Sequence, residues 1–281
     1  MTGTLVAVLG RGLVPAGTPV LPADDLGVLR GDGIFETMHL RDGRPWLLGE
    51  HLDRFAASAA MLDLALPDRD ALAGLVDTAS RAWPSDREGM LRVVCTRGSE
   101  QDGPVTVFAT VSPIGAAMRA SRREGLVLVT ATTGMAAAAR RGAPWLLGGA
   151  KSLSYAVNMA SQRWARRRGA DDVLWVSADG YALEAPTATL VWLDGDALCT
   201  VPARDTGILA GTTARWLLDR AGKLGLTASE RMVRPEELPD AGGVWLTSSV
   251  RGCVPVRELD GTHLPRCGHT RAIQELLGHP L

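Results

Sequence analysis

Apolar residues recur along the chain with two periods, and the switches between them mark the elements. Leu5 to Leu9 and Gly12 to Val14 read as a short hairpin, followed by a loop over Pro15 to Asp25. The segment Arg30-Gly31-Asp32-Gly33-Ile34-Phe35-Glu36-Thr37 enters a run that alternates through Met38 and Leu40 to an Asp42-Gly43 turn, and Trp46-Leu47-Leu48 returns from it. That pattern predicts a second hairpin. In Glu50 to Leu64 the apolar positions Leu52, Phe55, Ala59 and Leu62 fall at helical spacing, and a second helix is predicted over Asp70 to Trp83. Strands over Met90–Thr96 and Val105–Ser112 then enclose the polar link Arg97 to Gly103. Strands, two helices and strands again make an α+β domain.

The second half opens with a strand over Leu126–Ala131 and an Ala- and Gly-rich loop, Thr132 to Gly142. A helix is predicted from Leu153, through Val157, Ser161, Trp164 and Ala165, to a stop at Gly169. Strands over Val173–Val176 and Thr189–Leu193 follow, then an amphipathic helix opened by Gly211-Thr212-Thr213 and running through Leu218 and Ala221. Two more strands, Val244–Thr247 and Val254–Leu259, and a short C-terminal helix complete the chain. The expected division is an N-terminal α+β domain at 1–114, a linker at 115–122 that begins in Pro113-Ile114-Gly115-Ala116, and a C-terminal domain at 123–281.

Composition excludes several classes. The 281 residues are 46% apolar, ample for a buried core, and the formal net charge of −1 leaves no footprint for nucleic acid or an anionic membrane. No apolar run reaches the roughly 18 residues of a membrane span. Met1-Thr2-Gly3-Thr4 lacks the basic-then-apolar order of an export signal, so the cytoplasm is expected. Cys95, Cys199, Cys253 and Cys267 are widely spaced, which suits free thiols, and with five scattered histidines no metal set is expected. Gly10 and Gly12 do not make a dinucleotide fingerprint, because Pro15 stands where its third glycine belongs. A P-loop fails likewise, with Ala150 before Lys151 and Trp145 at the first glycine position.

Lysine usage points to a centre. Only Lys151 and Lys223 are lysines, against 28 arginines, so a position that stays Lys under that bias is a candidate for chemistry that needs a deprotonated amine. A lysine that carries pyridoxal phosphate as a Schiff base needs an acid opposite the pyridine nitrogen and a phosphate cradle of amides, hydroxyls and an arginine. The chain offers Glu184, Thr212 and Thr213, Ser248 and Ser249, and Arg54. Each also suits a plainer role: a solvated strand end, an N-cap, turn formers, and a partner for Glu50 one turn earlier.

The order of these segments resembles the class IV aminotransferase family, the fold-type IV pyridoxal-phosphate enzymes, from about Arg30 to Val256. Gly31 to Glu36 and Glu50-His51-Leu52-Asp53-Arg54 are similar to two early motifs of that family. Leu183-Glu184-Ala185-Pro186-Thr187-Ala188-Thr189 and Ile208-Leu209-Ala210-Gly211-Thr212-Thr213-Ala214 are similar to two later ones. The resemblance implies an α/β protein of the α+β kind in two domains, the larger C-terminal one barrel-like, with pyridoxal 5'-phosphate between domains, and a homodimer acting on a small molecule. It implies that Lys151 is the Schiff-base lysine and that Glu184 faces the pyridine nitrogen beside Thr189. Arg54, Thr212, Thr213 and Ser249 would hold the phosphate. Thr189 stands where the family commonly has Asn, and Ala185 where it has Gly. The loop Ser99-Glu100-Gln101-Asp102 has acids where some members hold a carboxylate with arginine or histidine, which leaves Arg30, Arg97 or Arg251, with Phe35 nearby, as candidates to hold the substrate, Arg251, two residues past Ser249, first among them.

Within the family, Gly-Asp-Gly-Ile-Phe-Glu-Thr, Lys-Ser-Leu-Ser-Tyr and Ser-Ser-Val-Arg-Gly look most like the aminodeoxychorismate lyases. Release of pyruvate and p-aminobenzoate from 4-amino-4-deoxychorismate is therefore the expected activity, with transamination of D- or branched-chain amino acids as the alternative. A catalytically silent binding protein on the same fold is disfavoured, because the lysine, the acid and the phosphate cradle are all in place.

Overall fold

The structure, a computed structural model, describes residues 3–100 and 103–280. They divide into two compact units, Met1–Gly115 with Ala150–Tyr155, and Ala116–Gly149 with Ala156–Leu281.

In the first unit β1 (Leu5–Val8), β2 (Gly12–Val14), α1 (Leu26–Leu29), β3 (Gly33–Arg41), β4 (Arg44–Pro45), α2 (Leu48–Met61), α3 (Arg69–Arg81), β5 (Gly89–Thr96) and β6 (Thr106–Pro113) follow in order. Six antiparallel strands form one sheet in the order β2-β1-β6-β5-β3-β4. The β3–β4 turn has positive φ at both Asp42 (50°) and Gly43 (69°), the geometry that matches the twist of its strands. Ile34, Met38 and Leu40 of β3 pair with Cys95, Leu91 and Gly89 of β5, and all three are fully buried. Helix α2 packs on β3 and buries His51, Leu52, Phe55, Ser58 and Ala59, a stripe spaced by three and four.

Residues Ala150–Tyr155, expected in the C-terminal domain, are part of this unit. They run extended along the open edge of β3: Phe35 N donates to Lys151 O at 3.0 Å and Leu153 N to Gly33 O at 2.8 Å. Leu153 and Ser154 therefore do not open the predicted helix, which starts at Ala156. Backbone groups paired with a strand are not available to a helix.

The second unit holds α4 (Ala116–Glu124), β7 (Leu126–Thr132), α5 (Ala156–Arg166), β8 (Asp172–Val176), β9 (Glu184–Ala185), β10 (Ala188–Asp194), β11 (Ala197–Thr200), α6 (Ala203–Thr206), α7 (Thr212–Leu218), β12 (Thr227–Glu230), β13 (Gly243–Ser248), β14 (Gly252–Leu259), β15 (Thr262–His263) and α8 (His269–Leu277). Its mixed sheet runs β12-β11-β10-β13-β14-β7-β8, with β9 on β10 and β15 on β14. Leu128, Leu174, Leu190, Trp192, Leu246 and Val254 are among its buried core. Two α+β units of this kind are the two-domain fold expected from the sequence.

The stretch 115–122, expected as a linker, is instead mostly helix α4, in which Arg122 is the buried residue. With no apolar face, it carried no helical signature. Strands β11 and β12 were also unpredicted, β12 because Thr-Ala-Ser-Glu is a polar, largely exposed edge strand.

A Cβ on Gly33 would lie 2.6 Å from Cys95 O and 2.7 Å from Leu153 Cδ1, so only glycine admits both β5 and the Lys151 segment at this point. Gly33→Ala is expected to destabilise the protein by roughly 1–3 kcal/mol. The check is a lower urea midpoint at unchanged slope; a midpoint equal to wild type would contradict this packing.

Candidate active site

The first unit gathers a set of charged and aromatic side chains around Lys151. Its Nζ lies 4.3 Å from the centroid of the Phe35 ring and 5.9 Å from that of Tyr155. The two rings meet edge to face at 5.2 Å. Such faces attract a cationic amine and restrict where it can sit. Lys151 N donates to Ser58 Oγ at 3.1 Å, so the lysine backbone is tied to α2 as well as to β3.

Helix α2 presents His51, Arg54 and Ser58 at i, i+3 and i+7, one face of the helix. From β3, Glu36 reaches that face and is buried. Its carboxylate accepts from Arg54 Nε at 2.7 Å and Nη2 at 2.8 Å, a bidentate pair, and from His51 Nδ1 at 2.7 Å. Burial alone would raise the Glu36 pKa, but the Arg54 guanidinium and the two sets of hydrogen bonds outweigh it and hold the carboxyl at about 2. Desolvation lowers the His51 pKa, assisted by the positive charges of Arg54 and Lys151 and opposed by Glu36. His51 is then a neutral imidazole whose Nδ1–H donates to Glu36.

Arg92 stands across from Thr37 in the β3–β5 ladder. Its guanidinium lies 5.5 Å from the Phe35 centroid, and its Nε donates to Thr37 Oγ1 at 3.4 Å. The residue is exposed, and its pKa is lowered by the protein packed around it, opposed by Tyr155. Phe35 is thus approached by two cations, Lys151 and Arg92.

In the second unit, Glu184 of β9 pairs with Thr189 of β10, and Thr189 in turn with Thr247 of β13. Both carboxylate oxygens of Glu184 lie 3.3 Å from Leu209 N, which fixes their orientation. Thr212 and Thr213 begin α7, which packs against β13, and Ser249 follows the end of that strand. Glu184, Thr189, Thr212 and Thr213 are therefore brought together by one hairpin and the segment beside it. Thr213 Oγ1 is buried with no hydrogen-bond partner among the described residues. A buried hydroxyl left so is costly unless a ligand supplies the missing acceptor or donor. An acid on a strand, adjacent hydroxyls and an orphaned threonine within this unit suit the ring nitrogen and phosphate of pyridoxal phosphate.

The three arginines weighed for a substrate carboxylate each have a partner. Arg97 makes a bidentate pair with Asp32 at 2.6 and 3.2 Å and donates to Leu62 O and Asp63 O. Arg251 Nη1 lies 3.3 Å from the buried Asp172. Arg30 is exposed, 3.9 Å from Glu100. Gln101 and Asp102, whose loop was expected to disfavour a carboxylate, lie outside the described residues. Arg54 pairs with Glu36 and not with the Glu50 weighed from sequence. Sequence reasoning missed Arg92, Tyr155 and the Glu36–His51 pair. The one signal for Arg92 is a charged residue inside an otherwise apolar alternating strand.

The profile of the family Amino-transferase class IV matches residues 33–259. The bifunctional aminodeoxychorismate lyase / D-amino acid transaminase of Mycobacterium tuberculosis (strain ATCC 25618 / H37Rv) is 40% identical over 282 residues, 97% of each chain. The aminodeoxychorismate lyase of Bacillus subtilis (strain 168) is 27% identical over 86% of this chain and 82% of its own. Among solved structures, a hypothetical aminotransferase from Mycobacterium tuberculosis in its PLP-bound form superposes with a TM-score of 0.94 at 40% identity, covering 98% of this chain and 97% of that one.

The Glu36 cluster makes an acid-stability prediction. The folded carboxyl titrates below its unfolded value, so the unfolded chain takes up the proton first. Its stabilisation is complete above pH 4.5 and lost as pH falls from 4.5 to about 2, on the order of 3 kcal/mol in all. The depressed His51 adds a loss that begins as pH falls through 6.5, where the unfolded imidazole charges first. Glu36→Gln is expected to lower stability at neutral pH by roughly 3–5 kcal/mol and to flatten the acid limb. Urea midpoints of both proteins across pH check this; parallel curves would remove Glu36 from the account.

Proposed function

Because this chain belongs to the class IV aminotransferase family, matched over residues 33–259, we propose that it is a PLP-dependent 4-amino-4-deoxychorismate lyase that forms p-aminobenzoate and pyruvate. The observation that carries the chemistry is the mounting of Lys151, tied to β3 and α2 by its backbone with its amine against Phe35 and Tyr155. Preference for the lyase reaction is supported by the relative that shares 40% identity over 97% of each chain and carries that activity first in its name.

When bound, PLP supplies an aldehyde that condenses with an amine and a ring that withdraws the electron pair left on the carbon next to it. Lys151 would hold that aldehyde. Its nitrogen, when free, would take the proton from the aminated carbon of the substrate, with Phe35 and Tyr155 limiting where that nitrogen can lie. Glu184, oriented by the Leu209 amide, would keep a proton on the ring nitrogen. Thr212, Thr213 and Ser249 would bind the phosphate with Arg54, whose guanidinium makes a bidentate pair with Glu36. Thr189 would line the ring. Loss of the enolpyruvyl group then leaves an aromatic ring, which drives the reaction forward.

Arg92 is assigned the substrate carboxylate in preference to Arg30, Arg97 and Arg251, because it and Lys151 approach the same Phe35 ring while Arg97 and Arg251 are engaged with Asp32 and Asp172. The second reading, transamination of D-amino acids, is favoured by the other activity named for the same relative and uses the same residues. A cytoplasmic homodimer accompanies the proposal. The family resemblance supports the dimer, and the free cysteines suit a reducing compartment.

Incubation with aminodeoxychorismate is expected to yield p-aminobenzoate and pyruvate in equal amounts, and Lys151→Ala to reduce the rate by roughly a thousandfold or more. Conversion of D-amino acids with no p-aminobenzoate formed would replace the lyase reading with the second. Arg92→Leu is expected to lower kcat/KM by about 10- to 100-fold, the worth of a charged hydrogen bond, mostly through KM. A larger KM effect from Arg251→Leu than from Arg92→Leu would move the carboxylate to Arg251.

A further inference from the structure

The turn that carries Ser249 is held from behind by buried polar side chains that no part of the reaction requires. Ser248 of β13 pairs with Gly252 of β14, and Ser249, Val250 and Arg251 make the connection. Ser249 O lies 2.8 Å from His279 Nε2, and since a carbonyl only accepts, the imidazole donates there. Val250 O accepts from Arg122 Nη2 at 2.8 Å, while Nη1 of the same guanidinium donates to Pro280 O at 2.6 Å. The Arg251 side chain is drawn to Asp172. Each residue of the turn is thereby fixed at one point.

The supports are themselves secured. Arg122 is 1% exposed and His279 7%. Gln274 of α8 donates to Arg122 O at 2.7 Å and to Cys253 O at 3.1 Å, linking α4, α8 and β14. Gly252 has φ +77°, and a Cβ there would lie 2.8 Å from His279 Cγ, so the ring sits directly on the strand start. A buried guanidinium is an expensive way to satisfy two carbonyls. Its cost has a reason if the direction of the turn matters.

Peptide planarity supplies that reason. In a trans peptide the C=O and the next N–H point in opposite directions. Fixing Ser249 O and Val250 O toward the supports aims the Val250 and Arg251 amides the other way. The cation on Val250 O also polarises that peptide, which strengthens its N–H as a donor to an anion. We propose that Arg122 and His279 are positioning residues for the cofactor phosphate, acting by holding the Ser249 turn with its amides directed outward. The inference rests on the reading that this turn receives the phosphate.

The test compares PLP with pyridoxal, which has the same ring and aldehyde but no phosphate. Apoprotein is titrated with each, and the ratio of the two affinities reports the phosphate contribution alone. Arg122→Met and His279→Phe are each expected to lower that ratio by about tenfold, as loss of a directed hydrogen bond would, with pyridoxal affinity within about twofold of wild type. His279→Gln keeps a donor and is expected to recover most of the ratio. Should Arg122→Met fail to fold, Arg122→Lys carries the same test. One ammonium serves the two carbonyls poorly, so a fall of about threefold is expected. An unchanged ratio in these variants, or equal losses for PLP and pyridoxal, overturns the proposal while leaving the enzyme assignment standing. A wild-type protein that binds pyridoxal as tightly as PLP would instead strike the phosphate reading on which the proposal depends.

Discussion

Pairing of the Lys151 segment with the edge of β3 is the constraint on which the first unit's chemistry depends. A lysine side chain has four rotatable bonds, and on a free loop its amine would sample a large volume. Here Phe35 N holds Lys151 O, Leu153 N holds Gly33 O, and Ser58 accepts from Lys151 N, so the Cα is fixed and only the side chain retains freedom. Phe35 and Tyr155 then narrow that remaining freedom. Sequence separation is no obstacle: Gly33 belongs to β3 and the lysine lies far downstream, yet the glycine leaves space for Leu153 to approach. Sites mounted on strands and helices hold their geometry better than sites on loops.

Charge distribution follows from the same placement. Arg54, Lys151 and Arg92 all belong to the first unit, and Glu36 is the buried carboxylate among them, spent on Arg54 and His51. That surplus of positive charge suits a cofactor that carries a phosphate. Keeping His51 neutral avoids a further buried cation, and its Nδ1–H still orients Glu36. Glu184 belongs to the second unit, on a hairpin whose neighbour α7 begins with the hydroxyls of Thr212 and Thr213.

Much of this was legible before the fold was seen, because motifs in a fixed order constrain more than any one residue does. Periodicity located α2 and α3, each of which buries one clear face, and short apolar runs located strands such as β10 and β13, which are buried on both faces. What neither could find had no such face. Helix α4 buries an arginine, β12 is a polar edge, and the extended run before α5 looks helical in its side chains while its backbone belongs to β3. The carboxylate that pairs with Arg54 was not legible for a related reason. Glu50 is the neighbour of Arg54 along the helix, whereas Glu36 arrives from a strand by tertiary packing, which local spacing does not encode. Arg92 was passed over because an arginine in an alternating strand ordinarily marks the solvent face. The supports behind Ser249 were equally silent, as Arg122, Gln274 and His279 converge from two distant segments.

The central claim is that Lys151, and not the chain's other lysine, is the residue this fold prepares for covalent attachment. Borohydride reduction of the PLP-loaded protein, followed by peptide mass spectrometry, tests it directly, because Lys151 and Lys223 are the two lysines of the sequence. The account predicts a stable pyridoxyl modification confined to the peptide that contains Lys151. Modification of Lys223, or none at either lysine in a protein that has taken up the cofactor, would contradict it.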